Sequence, residues 1–148
     1  MAAPVIILID DEPLIRRSGA MLLTRHGYHV KVAATAMDGL ALVRASRPDL
    51  LLLDRTLPDG DGLRLLQVCQ REWPALPVLM VTGDLRPETR AQALRAGAIA
   101  VLEKPCDPAV LLAAVADALR PVDPREVSGP AGAAGDAREG DDPESASM

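Results

Sequence analysis

The stretch LLLLDRTLPDGDG, residues 50–62, joins four consecutive leucines to a carboxylate, Asp54, and then to a loop rich in proline and glycine. A short continuous apolar run is typical of a strand that is covered on both faces of a parallel sheet. The carboxylate at its end is either an accident of the loop boundary or a group that the strand holds for chemistry. The rest of the chain decides between these interpretations.

Four further apolar runs of strand length occur along the chain: VIILI (5–9), HVKVA (29–33), VLMVT (78–82) and AIAVLE (98–103). Only the run at 29–33 alternates apolar and polar residues, which indicates an edge strand. Segments of helical periodicity separate the runs, and short connections join them. This alternation predicts a doubly wound α/β domain with a five-stranded parallel sheet and right-handed crossovers.

The positions of proline and glycine agree with this prediction. Pro13, Pro87 and Pro108 stand where helices one, four and five are expected to begin. Gly27 and Gly97 stand where helices one and four are expected to end.

Charge and composition divide the chain at residue 120. Residues 1–120 hold 14 acidic and 14 basic side chains, whereas residues 121–148 hold 7 acidic and 2 basic ones, so the net charge of −5 belongs to the second part. That part is rich in Gly, Pro and Ala, and it has too few large apolar residues to form a core. We predict one folded domain over 1–120 and a disordered acidic tail or linker over 121–148.

Composition also excludes several function classes. A neutral domain without Phe, with one Trp and one Tyr, offers neither the basic surface nor the stacking rings that nucleic-acid binding uses. Two cysteines without metal-ligand spacing fit a reduced compartment, and the first residues resemble neither a secretion signal nor a membrane span. We therefore expect a cytoplasmic protein that does not contact nucleic acid or membranes directly.

Polar side chains stand where the predicted strands end. Asp10 and Asp11 follow the first strand, Asp54 ends the third, Thr82 ends the fourth and Lys104 follows the fifth. Ligands of open α/β sheets bind beyond the carboxyl ends of the strands. If the first and third strands are neighbours, their three carboxylates require a hard cation such as Mg²⁺. A nucleophilic carboxylate, a metal and a lysine together suit the formation of an acyl phosphate.

Four motifs in this order carry a resemblance to a known family: IDDEP (9–13), LLLDRTLPDGDGL (51–63), VLMVTGD (78–84) and AGAIAVLEKP (96–105). The chain resembles the receiver domain of response regulators in two-component signal transduction, over residues 4 to about 120. The resemblance implies a flavodoxin-like three-layer sandwich with strand order 2-1-3-4-5. It also implies phosphorylation by a sensor histidine kinase or a phosphotransfer protein, with Mg²⁺.

The resemblance assigns a role to each motif residue. It implies that Asp54 is the phosphoacceptor, and that Asp10 and Asp11 are the acidic pair, with Asp11 a direct Mg²⁺ ligand. The remaining implied features are the metal-binding backbone carbonyl of Thr56, the switch hydroxyl of Thr82, the phosphoryl contact of Lys104 and a cis Lys104–Pro105 bond. The metal set is therefore Asp10, Asp11, Asp54 and Thr56.

One position departs from the family pattern. Three residues before Lys104 the family usually has Tyr or Phe, which moves inward when the threonine swings towards the phosphate, and here the residue is Val101. The departure leaves open how phosphorylation changes the face of helix four, strand five and helix five. That face is also a candidate homodimer surface.

Three functions follow as hypotheses. The first is a phosphorylation-dependent signalling switch, which is not an enzyme beyond catalysing its own phosphotransfer and autodephosphorylation. The second, motivated by Val101, is an interaction module that works without phosphorylation. The third is a phosphatase with an Asp nucleophile, which would need a carboxylate where Thr56 stands. Because no effector domain is visible after residue 120, we expect a stand-alone receiver or a fragment of a larger regulator.

Overall fold

The computed structural model describes residues 2–121. Apart from Pro121, the predicted tail lies outside the described residues, so the domain boundary at 120 stays a prediction. The strands are β1 Val5–Ile9, β2 His29–Ala33, β3 Leu50–Asp54, β4 Thr56–Leu57, β5 Gly60–Asp61, β6 Val78–Thr82 and β7 Ala100–Glu103. The helices are α1 Pro13–Arg25, α2 Ala36–Ser46, α3 Gly62–Glu72, α4 Pro87–Arg95 and α5 Pro108–Leu119.

The main sheet has five parallel strands in the order β2-β1-β3-β6-β7. This is the expected order 2-1-3-4-5 once the short antiparallel pair β4–β5 in the loop after Asp54 is left out. The α/β fold and its strand order are thus confirmed, and so is the edge position of β2.

The central strand β3 explains the run of leucines. Leu50 to Leu53 are all at most 1% exposed. Leu51 and Leu53 pack into a core with residues of α2, α3 and α4, whereas Leu50 and Leu52 pack into a second core with Leu23 of α1 and Val115 of α5. Since successive side chains of a strand point to opposite faces, one leucine run supplies both cores of a three-layer sandwich.

The helix boundaries follow the sequence signals. Pro13, Pro87 and Pro108 open α1, α4 and α5, as predicted. Gly27 and Gly97 follow the ends of α1 and α4 with φ of 94° and 114°, a region that favours glycine.

The fifth main strand begins at Ala100 rather than at Ala98, so its predicted start was wrong by two residues. The N–H of Ala98 donates to the carbonyl of Ala93 at 3.0 Å and closes the end of α4. Ala98 is therefore buried, as its apolar character suggests, while its backbone belongs to the helix terminus. Within residues 2–121, every helix is too short or too polar to cross a membrane.

We expect Leu53→Ala to lower the free energy of unfolding by about 3 kcal/mol, because it removes a fully buried side chain and leaves a cavity. Urea unfolding followed by circular dichroism measures the change. Leu14→Ala is the matched control, since Leu14 is 78% exposed, and it should change stability by less than about 0.5 kcal/mol. Equal effects of the two substitutions would contradict the two-sided burial of β3.

Candidate functional site

The carboxyl ends of β1 and β3 bring three carboxylates together. β1 and β3 are neighbours in parallel register, with Ile9 opposite Leu53. Asp10, Asp11 and Asp54 each offer a carboxylate oxygen, and these oxygens lie within 4.8 Å of one another. Asp10 and Asp54 are only 2% and 6% exposed, whereas Asp11 faces solvent.

Three hydrogen bonds, each with at least one backbone group, hold the turn after β1. The N–H of Asp10 donates to the carbonyl of Ala33 at 3.0 Å, and its carboxylate accepts the N–H of Glu12 at 2.9 Å. Arg16 in α1 donates from Nη1 to the carbonyl oxygen of Asp10 at 2.9 Å. These bonds fix the orientation of Asp10 before any ligand binds.

Lys104 reaches the same cluster from β7. Its N–H donates to the carbonyl of Thr82 at 2.9 Å, and the Lys104–Pro105 bond is cis, as the resemblance implies. The ammonium lies 3.0 Å from Asp10 Oδ2, 2.9 Å from Glu12 Oε1 and 3.1 Å from Asp54 Oδ2. One cation therefore contacts three of the four carboxylates at this edge.

The pKa values of Asp54 and Lys104 reflect both their burial and the charges around them. Burial raises the pKa of Asp54, and the negative charge of Asp10 adds to this, while the hydrogen bond from Lys104 acts in the opposite direction. For Lys104, burial lowers the pKa, but hydrogen bonds to Glu12, Asp10 and Asp54 outweigh it and raise the pKa. Lys104 therefore stays charged, and a further cation would favour the ionised form of Asp54.

The donor set fits Mg²⁺. Three oxygen ligands from separate carboxylates suit a hard divalent cation, which usually keeps several waters as further ligands. Asp11 is exposed and so leaves the cluster open to water on one side. Thr56 lies two residues after Asp54, and its N–H donates to Asp54 Oδ1 at 3.3 Å. The metal-ligand role of its carbonyl stays a prediction.

Thr82 is buried, with 3% exposure, on the strand next to Asp54. It ends β6 one residue beyond Val81, which is the register partner of Asp54. Its hydroxyl oxygen accepts the N–H of Asp84 at 3.0 Å. The hydroxyl is thus engaged with the β6–α4 loop, and its role as a switch stays a prediction.

The loop after Asp54 explains the glycine eight residues later. The N–H of Gly62 donates to the carbonyl of Arg55 at 2.7 Å. A Cβ at Gly62 would overlap the carbonyl oxygen of Asp54. Asp61, the N-cap of α3, accepts both the N–H of Leu63 at 2.8 Å and Nε of Arg55 at 2.9 Å. The start of α3 therefore packs directly against the backbone of Asp54 and Arg55.

Asp59 binds the start of α2, a contact that the sequence does not predict. Its two carboxylate oxygens accept the N–H groups of Ala36 and Met37 at 2.8 and 2.9 Å, at the start of α2. These bonds hold the pKa of Asp59 below its ordinary value. The Pro-Asp-Gly sequence indicates a turn, but it carries no signal for a partner more than 20 residues away.

Val101 lies in β7 opposite Met80, half-buried against the core on the α2–α4 side of the sheet. Its carbonyl oxygen accepts Nη1 of Arg90 from α4 at 3.2 Å. Tyr28 and Trp73 are the only aromatic residues of the chain, and neither lies in α4 or β7. Neither α4 nor β7 therefore supplies an aromatic side chain in place of the one that the family usually has at position 101.

Comparison with known proteins identifies the family of the chain. The sequence profile of the response regulator receiver domain matches residues 6–116, which include every site residue described above. The chain belongs to this family. Receiver domains are signalling modules of two-component systems and bind Mg²⁺ at an acidic pocket. This chain has a cluster of three carboxylates, those of Asp10, Asp11 and Asp54.

Curated relatives are longer regulators. The chain is 40% identical over 102 residues to the nitrogen assimilation regulatory protein NtrX of Azorhizobium caulinodans, covering 68% of this chain and 22% of that protein. It is 38% identical over 124 residues to the response regulator protein PilR of Pseudomonas aeruginosa, covering 84% of this chain and 28% of that protein. The chain thus spans about a quarter of these relatives.

A solved structure has the same architecture at nearly full length. The CheY-like receiver domain protein of Methanospirillum hungatei superposes with a TM-score of 0.77 at 36% identity. The match covers 80% of this chain and 94% of that one. The architecture described here is therefore that of a receiver domain.

We expect Gly62→Ala to cost about 2 kcal/mol of stability, because the new methyl group meets backbone atoms that cannot rotate away. Chemical unfolding measures the loss. Gly83→Ala is the matched control, since a Cβ at Gly83 meets nothing within 4 Å. A neutral Gly62→Ala variant would show that the start of α3 does not approach Asp54 this closely.

We expect Asp54→Asn to raise the thermal midpoint at neutral pH in the absence of divalent cations. The folded-state pKa of Asp54 lies above its ordinary value of 3.8, so ionisation costs stability as the pH rises through the folded-state pKa. The advantage of the amide should therefore vanish as the pH falls below 3.8.

Thermal unfolding in EDTA, at pH values above and below this range, tests the expectation. The control is Asp117→Asn, because the side chain of Asp117 is 74% exposed. A destabilised Asp54→Asn variant at neutral pH would mean that Lys104 compensates the buried carboxylate fully.

Proposed function

We propose that this receiver domain is a phosphorylation-dependent signalling switch in the cytoplasm, in which Asp54 accepts a phosphoryl group from a phosphohistidine. The donor is a sensor histidine kinase or a phosphotransfer protein. The observation that supports the proposal is the proximity of the buried carboxylate of Asp54 to two further carboxylates and one lysine at the carboxyl edge of the sheet. Downstream proteins, rather than nucleic acid, receive the signal.

The chemistry assigned to this site is in-line phosphoryl transfer. A carboxylate oxygen of Asp54 forms a bond to phosphorus while the bond from phosphorus to the imidazole nitrogen of the donor breaks. Burial of Asp54 reduces the hydration of the carboxylate and raises the free energy of its anion, which favours transfer. Lys104, which stays protonated, moves its contact from the carboxylate to a phosphoryl oxygen.

A divalent cation completes the charge balance. Asp10, Asp11 and Asp54 would hold Mg²⁺, with the carbonyl of Thr56 as a further proposed ligand. When bound, Mg²⁺ neutralises the phosphoryl oxygens and the crowded carboxylates. Asp10 is oriented for this role by Glu12 and Arg16, and Asp11 lies at the solvent side where the ion can enter.

The output is proposed to leave through the face of α4, β7 and α5. Thr82 ends β6 beside α4, and its hydroxyl would turn towards the new phosphoryl group. Exposed apolar side chains mark this part of the surface, with Leu94 in α4 40% exposed and Val110 in α5 52% exposed. Such side chains suit a protein partner or a second copy of the chain.

One alternative function retains an observation in its favour. Valine at position 101 replaces the aromatic residue that usually moves inward together with the switch threonine. In this alternative, the domain would act as an interaction module that phosphorylation does not change. The phosphatase hypothesis has less support, because Thr56 stands where such an enzyme needs a second carboxylate.

Incubation with acetyl phosphate and Mg²⁺ tests the proposed switch. Intact-mass spectrometry should show the mass of one added phosphoryl group on the wild type and none on Asp54→Ala. Asp59→Ala is the matched control, since Asp59 lies in the same loop but binds the start of α2. An unmodified wild type would overturn the proposal.

Lysine variants sharpen the test, because the chain has only two lysines. Lys104→Met should slow phosphorylation by roughly 100-fold, whereas Lys31→Met should leave it unchanged, since Lys31 binds Ser46 in α2. Release of phosphate from small esters over many turnovers would favour the phosphatase instead. Equal binding of a cognate partner by wild type and Asp54→Asn under phosphorylating conditions would favour the phosphorylation-independent module.

A further inference from the structure

The missing ring at Val101 raises the question of what connects Thr82 to α4. A polar network in the β6–α4 loop makes this connection. The hydroxyl of Thr82 accepts the N–H of Asp84, and the carboxylate of Asp84 in turn accepts the hydroxyl of Thr89 in α4 at 2.8 Å. Two consecutive hydrogen bonds thus link three residues, from the carboxyl edge of the sheet into the first turns of a helix.

Asp84 also binds the residue before α4. Asp84 Oδ1 accepts a hydrogen bond from the backbone N–H of Arg86 at 3.1 Å. The guanidinium of Arg86 also donates from Nε to Oδ1 and from Nη2 to Oδ2, and the Nη2–Oδ2 distance of this ion pair is 2.6 Å. Hydrogen bonds from Arg86 and Thr89 hold the pKa of Asp84 well below its ordinary value, so the carboxylate remains ionised. Asp84 therefore holds both the N-cap position and the first turns of α4.

Few other contacts hold this helix. α4 has nine residues, of which only Thr89 and Ala93 are buried, and the side chain of its N-cap residue, Arg86, makes no capping hydrogen bond. Thr89 is a polar residue at 2% exposure, and its hydroxyl finds its partner in Asp84. A short helix with little buried apolar surface opens at low free energy, so the loss of one polar anchor has a large effect on it.

We propose that Asp84 is a positioning residue that couples the Thr82 hydroxyl to the amino-terminal part of α4. This inference rests on the proposed function for its trigger, because a phosphoryl group on Asp54 supplies a competing acceptor for that hydroxyl. When the Thr82 side chain turns to the phosphoryl group, the N–H of Asp84 loses its acceptor. The β6–α4 loop then relaxes, the Asp84 carboxylate releases the hydroxyl of Thr89, and the solvent exposure of α4 changes. This route needs no aromatic side chain at position 101.

Amide hydrogen exchange in residues 88–92 measures the anchoring of α4 in the full chain without any phosphate donor. Asp84→Ala should accelerate exchange there about tenfold, because it removes hydrogen bonds of an ionised acceptor. Asp107→Ala is the matched control. Asp107 likewise precedes a helix that opens with proline and accepts one backbone N–H, of Ala109, so its effect should stay within α5.

A double-mutant cycle separates coupling from a merely structural effect. Thr82→Val keeps the shape of the side chain but removes the acceptor, and it should accelerate exchange in residues 88–92 in the wild-type background. In the Asp84→Ala background it should add no further acceleration. Effects that multiply instead of saturating, or no effect of Thr82→Val on α4, would overturn the coupling.

A second variant covers the case in which Asp84→Ala fails to fold. Thr89→Val removes only the hydroxyl that Asp84 holds, and it should also make α4 insensitive to Thr82→Val. Undiminished sensitivity to Thr82→Val in that background overturns the inference.

Phosphorylation provides the last comparison. Asp84→Ala should still gain one phosphoryl group from acetyl phosphate, because Asp84 makes no contact with Asp54, Asp10 or Lys104 among the described hydrogen bonds. Phosphorylation of the wild type should accelerate amide exchange in α4. Phosphorylation of Asp84→Ala should not accelerate exchange in α4 beyond the rate of the unphosphorylated variant. Failure of the wild type to gain phosphate contradicts the proposed function, while the exchange cycle, which uses no phosphate, tests the coupling by itself.

Discussion

The contact of one ammonium group, that of Lys104, with the buried carboxylates of Asp10 and Asp54 is the constraint on which the site depends. Buried like charges oppose one another, and one lysine cannot neutralise them all. The order of the sheet produces this contact, because β1 and β3 are neighbours while β7 brings the lysine from the edge. The same imbalance favours a divalent cation at this position, because its positive charge would offset the crowded carboxylates.

Much of this arrangement can be predicted from the sequence, and the reason is geometric. The carboxyl ends of parallel strands share one edge, so polar residues after apolar runs, such as Asp10 and Asp54, must lie near each other once their strands are neighbours. The adjacency of the first and third strands came from the family resemblance, since periodicity alone does not order strands. The leucines of β3 were informative because one run had to supply both cores.

The polar contacts of the loops could not be predicted in this way. Asp59 binds the start of α2 and Asp84 binds Thr89, and both contacts depend on turn conformation and side-chain rotamer. An aspartate in a turn usually bonds to backbone groups one or two residues away, so the sequence predicts neither the partner of Asp59 in α2 nor the side-chain partner of Asp84 in α4. The start of β7 was misplaced for a related reason, because a buried residue such as Ala98 can belong to a helix terminus instead of a strand.

The segment between Asp54 and α3 has a consequence for engineering. It lies at the surface and includes exposed glycine and proline, features that normally mark a site for inserted tags or sensor domains. Yet the carboxylate of Asp59 binds a backbone N–H of α2, and that of Asp61 caps α3. Gly62 lies against the backbone of Asp54. Inserted sequence there would displace Asp54 itself, so fusions and circular permutation are better placed in loops at the opposite edge of the sheet.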